Sequence, residues 1–212
     1  MFFKRKDKTL NTDIQKKLPP GQSLTTKWPV LHYGSIPRFD PATWDFNIWG
    51  LVKEPKRFTW AEFSSLPTVE QVSDMHCVTR WSKFDSRFEG VPIAEVMKHV
   101  ELLPEANYVL VHADPNYTTN LPVEELLAAD VMFVLKYEAQ PLTPEHGYPL
   151  RLLAPRLYLW KSAKWVRGLE FLAEDRSGFW EQYGYHNHGD PWQEERYGNV
   201  VYNTMQKVRS GR

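Results

Sequence analysis

The chain carries a single cysteine, Cys77, within Asp74-Met75-His76-Cys77-Val78-Thr79-Arg80-Trp81-Ser82. Thiolate is the form of cysteine that ligates a metal or attacks an electrophile, and a neighbouring arginine or protonated histidine favours it. Arg80 and His76 supply such neighbours. The bland alternative is a small buried hydrophobe, and the polar company of this cysteine weighs against it. Two readings follow: a metal ligand, or a nucleophile using His76, His112 or His146 as base.

The second constellation runs from His146 to Leu169. It holds Arg151, Arg156, Lys161, Lys164 and Arg167 and no acidic residue. In a chain of balanced charge, such a local excess suits an anion. Phosphate is the natural candidate, gripped bidentately by arginine and as a point charge by lysine. The alternative is a solvated basic face, against which stand the interleaved Leu, Tyr and Trp residues. The histidines, at 32, 76, 99, 112, 146, 186 and 188, form no H-E-x-x-H pattern. One cysteine leaves little sulfur for a structural zinc site. His99 reads as a bland surface residue, and His112, at the end of an apolar strand, as either a core histidine or a pocket residue. No Walker-type loop or G-x-G-x-x-G is present, so an ordinary nucleotide fold is unsupported.

These residues need elements to position them. Asp45–Val52 is a strand-like run, and Thr59-Trp60-Ala61-Glu62 fits a capping box opening a short helix. Val91–Val100 has helical spacing with Pro92 near its first turn. Tyr108–His112 reads as a buried strand ended by Asp114-Pro115-Asn116. A helix is expected over Pro122–Ala129. Strands are expected over Val131–Tyr137, Leu150–Leu153 and Leu169–Leu172. Strands outnumber short helices, which argues for an α+β fold with a mixed sheet. The expected organisation is a polar arm over 1–27, one domain over 28–174, and an aromatic, turn-rich extension over 175–212 packed on it.

Composition narrows the function. Lys+Arg and Asp+Glu are both 26, so nothing points to nucleic acid or an anionic membrane. No apolar run approaches the ~20 residues of a membrane-spanning helix. No secretory apolar region or twin-arginine pair is seen near the start, and a cytoplasmic protein is expected.

Asp74–Ser82 resembles the cysteine motif of the sulfite oxidase family of molybdopterin oxidoreductases. His146-Gly147-Tyr148-Pro149-Leu150-Arg151 is similar to that family's H/N-G-x-P-x-R segment, and Lys161-Ser162-Ala163-Lys164-Trp165 to its S-x-K-W segment, in the same order and spacing. The resemblance runs from about Trp28 to Phe171 and is nearest to the short bacterial sulfite-oxidase-like proteins. It implies a mixed α+β domain holding molybdenum through one molybdopterin, with Cys77 as the protein ligand. His146, Arg151 and Lys164 match positions that contact the pterin or its phosphate, with Lys161 in the same segment. His32 and Tyr33 match a pterin-contacting stretch, and Thr79 is placed to shape the metal pocket. Arg80, His112 and Tyr117 are expected pocket residues. Leu31 stands where sulfite oxidases have a sulfite-binding arginine, and the Cys-Val-x-x-Trp-Ser form is similar to bacterial methionine sulfoxide reductase catalytic subunits. The implied activity is oxygen-atom transfer on a small-molecule substrate, sulfite-like or an S- or N-oxide. Electrons are exchanged with an external donor or acceptor protein, since no haem, flavin or iron–sulfur motif is visible. A thiol enzyme using Cys77 and a non-catalytic cofactor-binding module are the competing readings.

Overall fold

The computed structural model describes residues 15–198. Two mixed sheets form the body. The first contains β1 (Ser23–Leu24), β4 (Val69–His76), β5 (Trp81–Pro92), β8 (Met132–Tyr137), β9 (Gln140–Pro141) and β10 (Arg151–Leu153). The second runs in the order β3 (Lys56–Thr59), β2 (Asp45–Gly50), β11 (Val166–Leu172), β6 (Tyr108–Ala113), β7 (Tyr117–Pro122). Most pairings are antiparallel, but β1 runs parallel to β5 and β11 parallel to β2. The α+β mixed-sheet expectation is met.

The sheets share one core, because each presents an alternating apolar face to the other. Phe46 of β2 meets Phe133 of β8 across the gap at 5.1 Å between ring centroids. Helix α1 (Trp60–Ser64) inserts Phe63 between them, 5.0 Å from Phe46 and 5.6 Å from Phe133. The start of α1 is fixed by the expected capping box: the Glu62 N–H donates to Thr59 Oγ1, and the Thr59 N–H donates to Glu62 Oε2.

The other helices are shorter than their periodicity predicts. Val91 and Pro92 pair with β8, so α2 spans only Ile93–Met97. His99 lies beyond its end, edge-on to Phe58. Pro122 closes β7, leaving α3 as Val123–Leu126. The long β4–β5 hairpin carries the cysteine motif at its tip, so Cys77 follows a strand, as expected, whereas β5 has no counterpart among the expected strands. Its outer residues are polar and half-exposed, so no apolar alternation marks it.

Part of the polar arm is built into the sheet: β1 pairs with the start of β5, and the Thr25 N–H donates to the Ser82 carbonyl. Residues 1–14 lie outside the described range. In the C-terminal extension α4 (Phe179–Gln182) and a series of turns pack on the domain through residue 198. No helix among the described residues is long and apolar enough to cross a membrane.

Candidate active site

Cys77 is the first residue beyond β4. The Cys77 N–H donates to the Trp81 carbonyl and the Arg80 N–H returns to the Cys77 carbonyl, closing a tight loop with Arg80 at φ 72°. The thiol is buried, 7% exposed, with Sγ 3.0 Å from Thr79 Oγ1. Burial pushes the Cys77 thiol up, partly offset by Thr79 and by the Arg196 and Lys164 charges. No imidazole hydrogen-bonds this sulfur among the described residues. His76 turns its Nδ1 to Ser82 Oγ at 2.8 Å, and burial lowers its basicity. A raised thiol without a base is a poor nucleophile but a serviceable ligand once a metal displaces its proton.

The sulfur faces a cavity of about 260 Å³. His32, Tyr33, Cys77, Thr79, Tyr117, Arg151 and Lys164, all expected at the site, line it. His32 and Tyr33 arrive on an extended segment anchored by Lys164, whose Nζ donates to the Leu31 carbonyl at 2.8 Å. Tyr117 is partly buried; its hydroxyl donates to the Trp160 carbonyl at 2.6 Å, and desolvation holds it far above the ordinary phenol range.

Arg151 and Lys164 are brought together by a single antiparallel bridge. Gly147, at φ 112°, sits against both: a Cβ there would stand 3.0 Å from the Arg151 Cβ and 3.2 Å from the Lys164 Cβ. Arg151 donates to the His146 and Ser162 carbonyls, each at 3.0 Å, and its buried Nε has no partner. Burial lowers it to about 10. Lys164 also donates to the Glu145 carbonyl at 2.6 Å; burial, then the Arg151 charge, lowers it to about 7. Neither cation has a carboxylate partner among the described residues, so the pair lacks a counter-charge.

The other members of the basic segment are neutralised. Arg156 pairs with Asp130, Arg167 with Asp45 and Asp114, and Lys161 with Glu181. Lys161 therefore departs from the expected role: it is sealed behind Trp160, its ammonium held by Glu181, both oxygens of Asn120 and the Asn187 carbonyl. His146 stands behind the cavity wall, its ring 4.2 Å from that of Trp28 and its Nδ1 3.0 Å from Thr143 Oγ1. Its carbonyl accepts from Arg151.

Arg80 and His112 are also displaced from the expected pocket. The left-handed backbone at Arg80 turns its side chain outward, 61% exposed and 3.8 Å from Glu194. His112 falls on the wrong side of β6. Val109, Val111 and Ala113 alternate into the core, so His112 points away, to Glu170 at 2.9 Å and the Trp49 ring at 4.8 Å.

The walls also hold Trp81 and Trp165, which belong to the motifs but were given no site role, and residues outside the motifs: Trp28, Asp114, Trp160, Trp180 and Tyr185. Trp180 and Tyr185 come from the extension and stack on each other at 5.2 Å. The high Trp and Tyr content was the available signal, without positions.

Residues 33–180 match the family model described as oxidoreductase molybdopterin binding domain. The chain is 42% identical over 198 residues to the oxidoreductase YuiH of Bacillus subtilis, covering 93% of this chain and 98% of YuiH. It is 26% identical to the protein-methionine-sulfoxide reductase catalytic subunit MsrP of Ralstonia nicotianae, covering 71% of this chain and about half (52%) of MsrP. Among solved structures, the sulfane dehydrogenase SoxCD from Paracoccus pantotrophus superposes with a TM-score of 0.61 at 18% identity, over 82% of this chain and 56% of that one.

Proposed function

The chain belongs to the molybdopterin-binding oxidoreductase family, and from that premise we propose that it reduces a small neutral S-oxide, with electrons from an external donor protein. The cofactor is molybdenum on molybdopterin, and the cavity suits it. A sulfur faces the cavity, and the buried Arg151, with an orphaned N–H, and the half-buried Lys164 have no carboxylate partner among the described residues, which suits an anion. Cys77 would ligate the metal, a soft thiolate on a centre already bound by sulfur. Arg151 and Lys164 would hold the anionic pterin, and His32 and Tyr33 would flank it. When bound, the cofactor supplies two-electron oxygen-atom transfer.

This chain's own residues select and orient the substrate. The observation that carries the reading is the composition of the wall. Apart from Arg151 and Lys164, both tied to backbone carbonyls, the only formally charged side chain lining the cavity among the described residues is Asp114, a carboxylate. The rest is mainly apolar or aromatic, including Leu31, Trp160, Trp180 and Tyr185. Such a wall favours a neutral S-oxide over an anion such as sulfite. Reduction consumes two protons and two electrons per oxygen, which leaves as water. Lys164 Nζ and the Tyr185 hydroxyl are proton-bearing groups on the cavity wall that would supply those protons.

The test is turnover of protein loaded in a molybdopterin-producing host fed molybdate. Oxidation of a reduced viologen on adding a dialkyl sulfoxide, absent in Cys77→Ser, is expected. Sulfite oxidation with an artificial acceptor, and no sulfoxide reduction, would overturn the substrate reading.

A further inference from the structure

Segments distant in sequence converge on the outer side of the cysteine loop. From the N-terminal side, Gln22 Nε2 donates to the Cys77 carbonyl at 3.0 Å, and the Ser23 N–H donates to the Arg80 carbonyl at 2.9 Å. From the C-terminal side comes Arg196, only 4% exposed. Its Nη1 donates to the Val78 carbonyl at 2.7 Å and its Nη2 to the Pro20 carbonyl at 3.1 Å, while Nε faces Glu194 Oε1 at 3.3 Å. The guanidinium lies over the buried Tyr158 ring, 5.0 Å from its centroid. Gly21 leaves room for this cluster: at φ 67°, a Cβ there would meet Glu194 Oε1 at 2.7 Å, Arg80 Nη1 at 2.8 Å and Arg196 Nη2 at 3.3 Å.

Burying a guanidinium is costly unless its donors are used, and here each edge of the fork has a partner. The location of one partner matters for the site. Val78 joins Cys77 to Thr79, the residues whose side chains meet inside the cavity. Rotation of the Val78 peptide would swing both. Among the described residues, the Cys77 thiol hydrogen-bonds on the cavity side only to Thr79, so its direction is set by backbone held from outside.

We propose that Arg196 is a positioning residue for the metal-binding cysteine. By tying the Val78 carbonyl to the Pro20 carbonyl, it fixes the angle at which Cys77 Sγ enters the cavity. The role is specific to arginine, because a lysine ammonium reaches one of these carbonyls but cannot fork between two at opposite edges. The inference rests on Cys77 being the metal ligand.

The experiment compares wild type, Arg196→Ala, Arg196→Lys and Gln22→Met as full chains. Each is loaded with cofactor and examined by electron paramagnetic resonance of the one-electron-reduced molybdenum. Hydrogen exchange of the Val78–Arg80 amides is measured in the same samples. A ligand sulfur at a changed angle alters the g-values, which a loss of stability alone does not. The expected result is a shifted spectrum in Arg196→Ala, a smaller shift in Arg196→Lys, and loop exchange about tenfold faster in Arg196→Ala. Should Arg196→Ala fail to fold, Gln22→Met, which frees the same loop from its other side, is expected to shift the spectrum and speed exchange. Wild-type g-values and exchange in the folded variants would overturn the proposal. Cys77→Ser separates the underlying reading: a wild-type spectrum in that variant would remove Cys77 as ligand, whatever Arg196 does.

Discussion

Lys161 Nζ and Glu181 Oε1 stand 2.7 Å apart with both side chains wholly removed from solvent. The same carboxylate oxygen accepts from Thr119 Oγ1 at 2.7 Å and Trp160 Nε1 at 2.9 Å. One acid from the C-terminal extension thereby neutralises a buried cation, holds a cavity-lining indole and pins the extension to β7. Burial itself pushes the Lys161 ammonium toward neutrality, and Glu181 opposes that shift.

Glu181→Gln keeps the shape but leaves the ammonium without a counter-charge. A destabilisation of about 3–5 kcal/mol is expected, the usual cost of breaking a buried pair from one side. Urea denaturation measures it. The double variant Lys161→Met, Glu181→Gln should recover much of the loss, and equal stability of the single and double variants would contradict the pairing.

Cys77→Ser should separate chemistry from folding. The site is tight and Thr79 can hydrogen-bond the new hydroxyl, so stability should change by about 1 kcal/mol. Turnover should fall by about a hundredfold or more, since even outer partners of a metal ligand matter by 10–100-fold. Thermal unfolding beside the viologen assay checks both halves. Retained turnover would leave Cys77 as a buried hydrophobe.

Lys164 predicts an unusual pH dependence of the cofactor-free protein. Its folded value is lowered from 10.5 to about 7. Between those values the unfolded chain binds the proton and the folded chain does not, so stability should rise with pH from about 7 toward 10. Below 7 the cost of burying the charge is fully present. Chemical denaturation across pH 6.5–10 (about the range of the shift) should show this slope in the wild type and its loss in Lys164→Met. An anionic cofactor restores the counter-charge, so the slope should also flatten on loading.

Much of the fold was legible where one residue pattern has one physical outcome. The Thr59–Glu62 box opens a helix because its two hydrogen bonds are local. The alternation of Val109, Val111 and Ala113 predicts a strand because each must reach the same core. That alternation also placed His112 outside the site, a consequence visible in the sequence once the strand's bounds are set. Other features depend on chain segments that the motif does not contain. The family resemblance favours Lys164 over Lys161 without giving the reason: Glu181 buries Lys161, and the Gly147 turn delivers Lys164 to the cavity. Trp180, Tyr185 and Arg196 come from the extension, whose irregular backbone has no period to read. The strand leading to Cys77 was expected, but its partner β5 escaped because half-exposed strands carry polar residues on both faces.

His112→Gln tests that displacement directly. His112 pairs with Glu170, which also pairs with Arg176 on the face turned from the cavity. An expected pocket residue should matter to turnover; one on this face should not. The kcat/KM of His112→Gln should stay within about twofold of wild type, because substitutions remote from the reacting groups leave transition-state stabilisation intact. Stability should fall by about 1 kcal/mol or less, the usual worth of one partly exposed hydrogen bond. Steady-state kinetics with the sulfoxide decides the matter. A drop of a hundredfold with wild-type stability would mean that this face, not only the Cys77 cavity, takes part in the reaction.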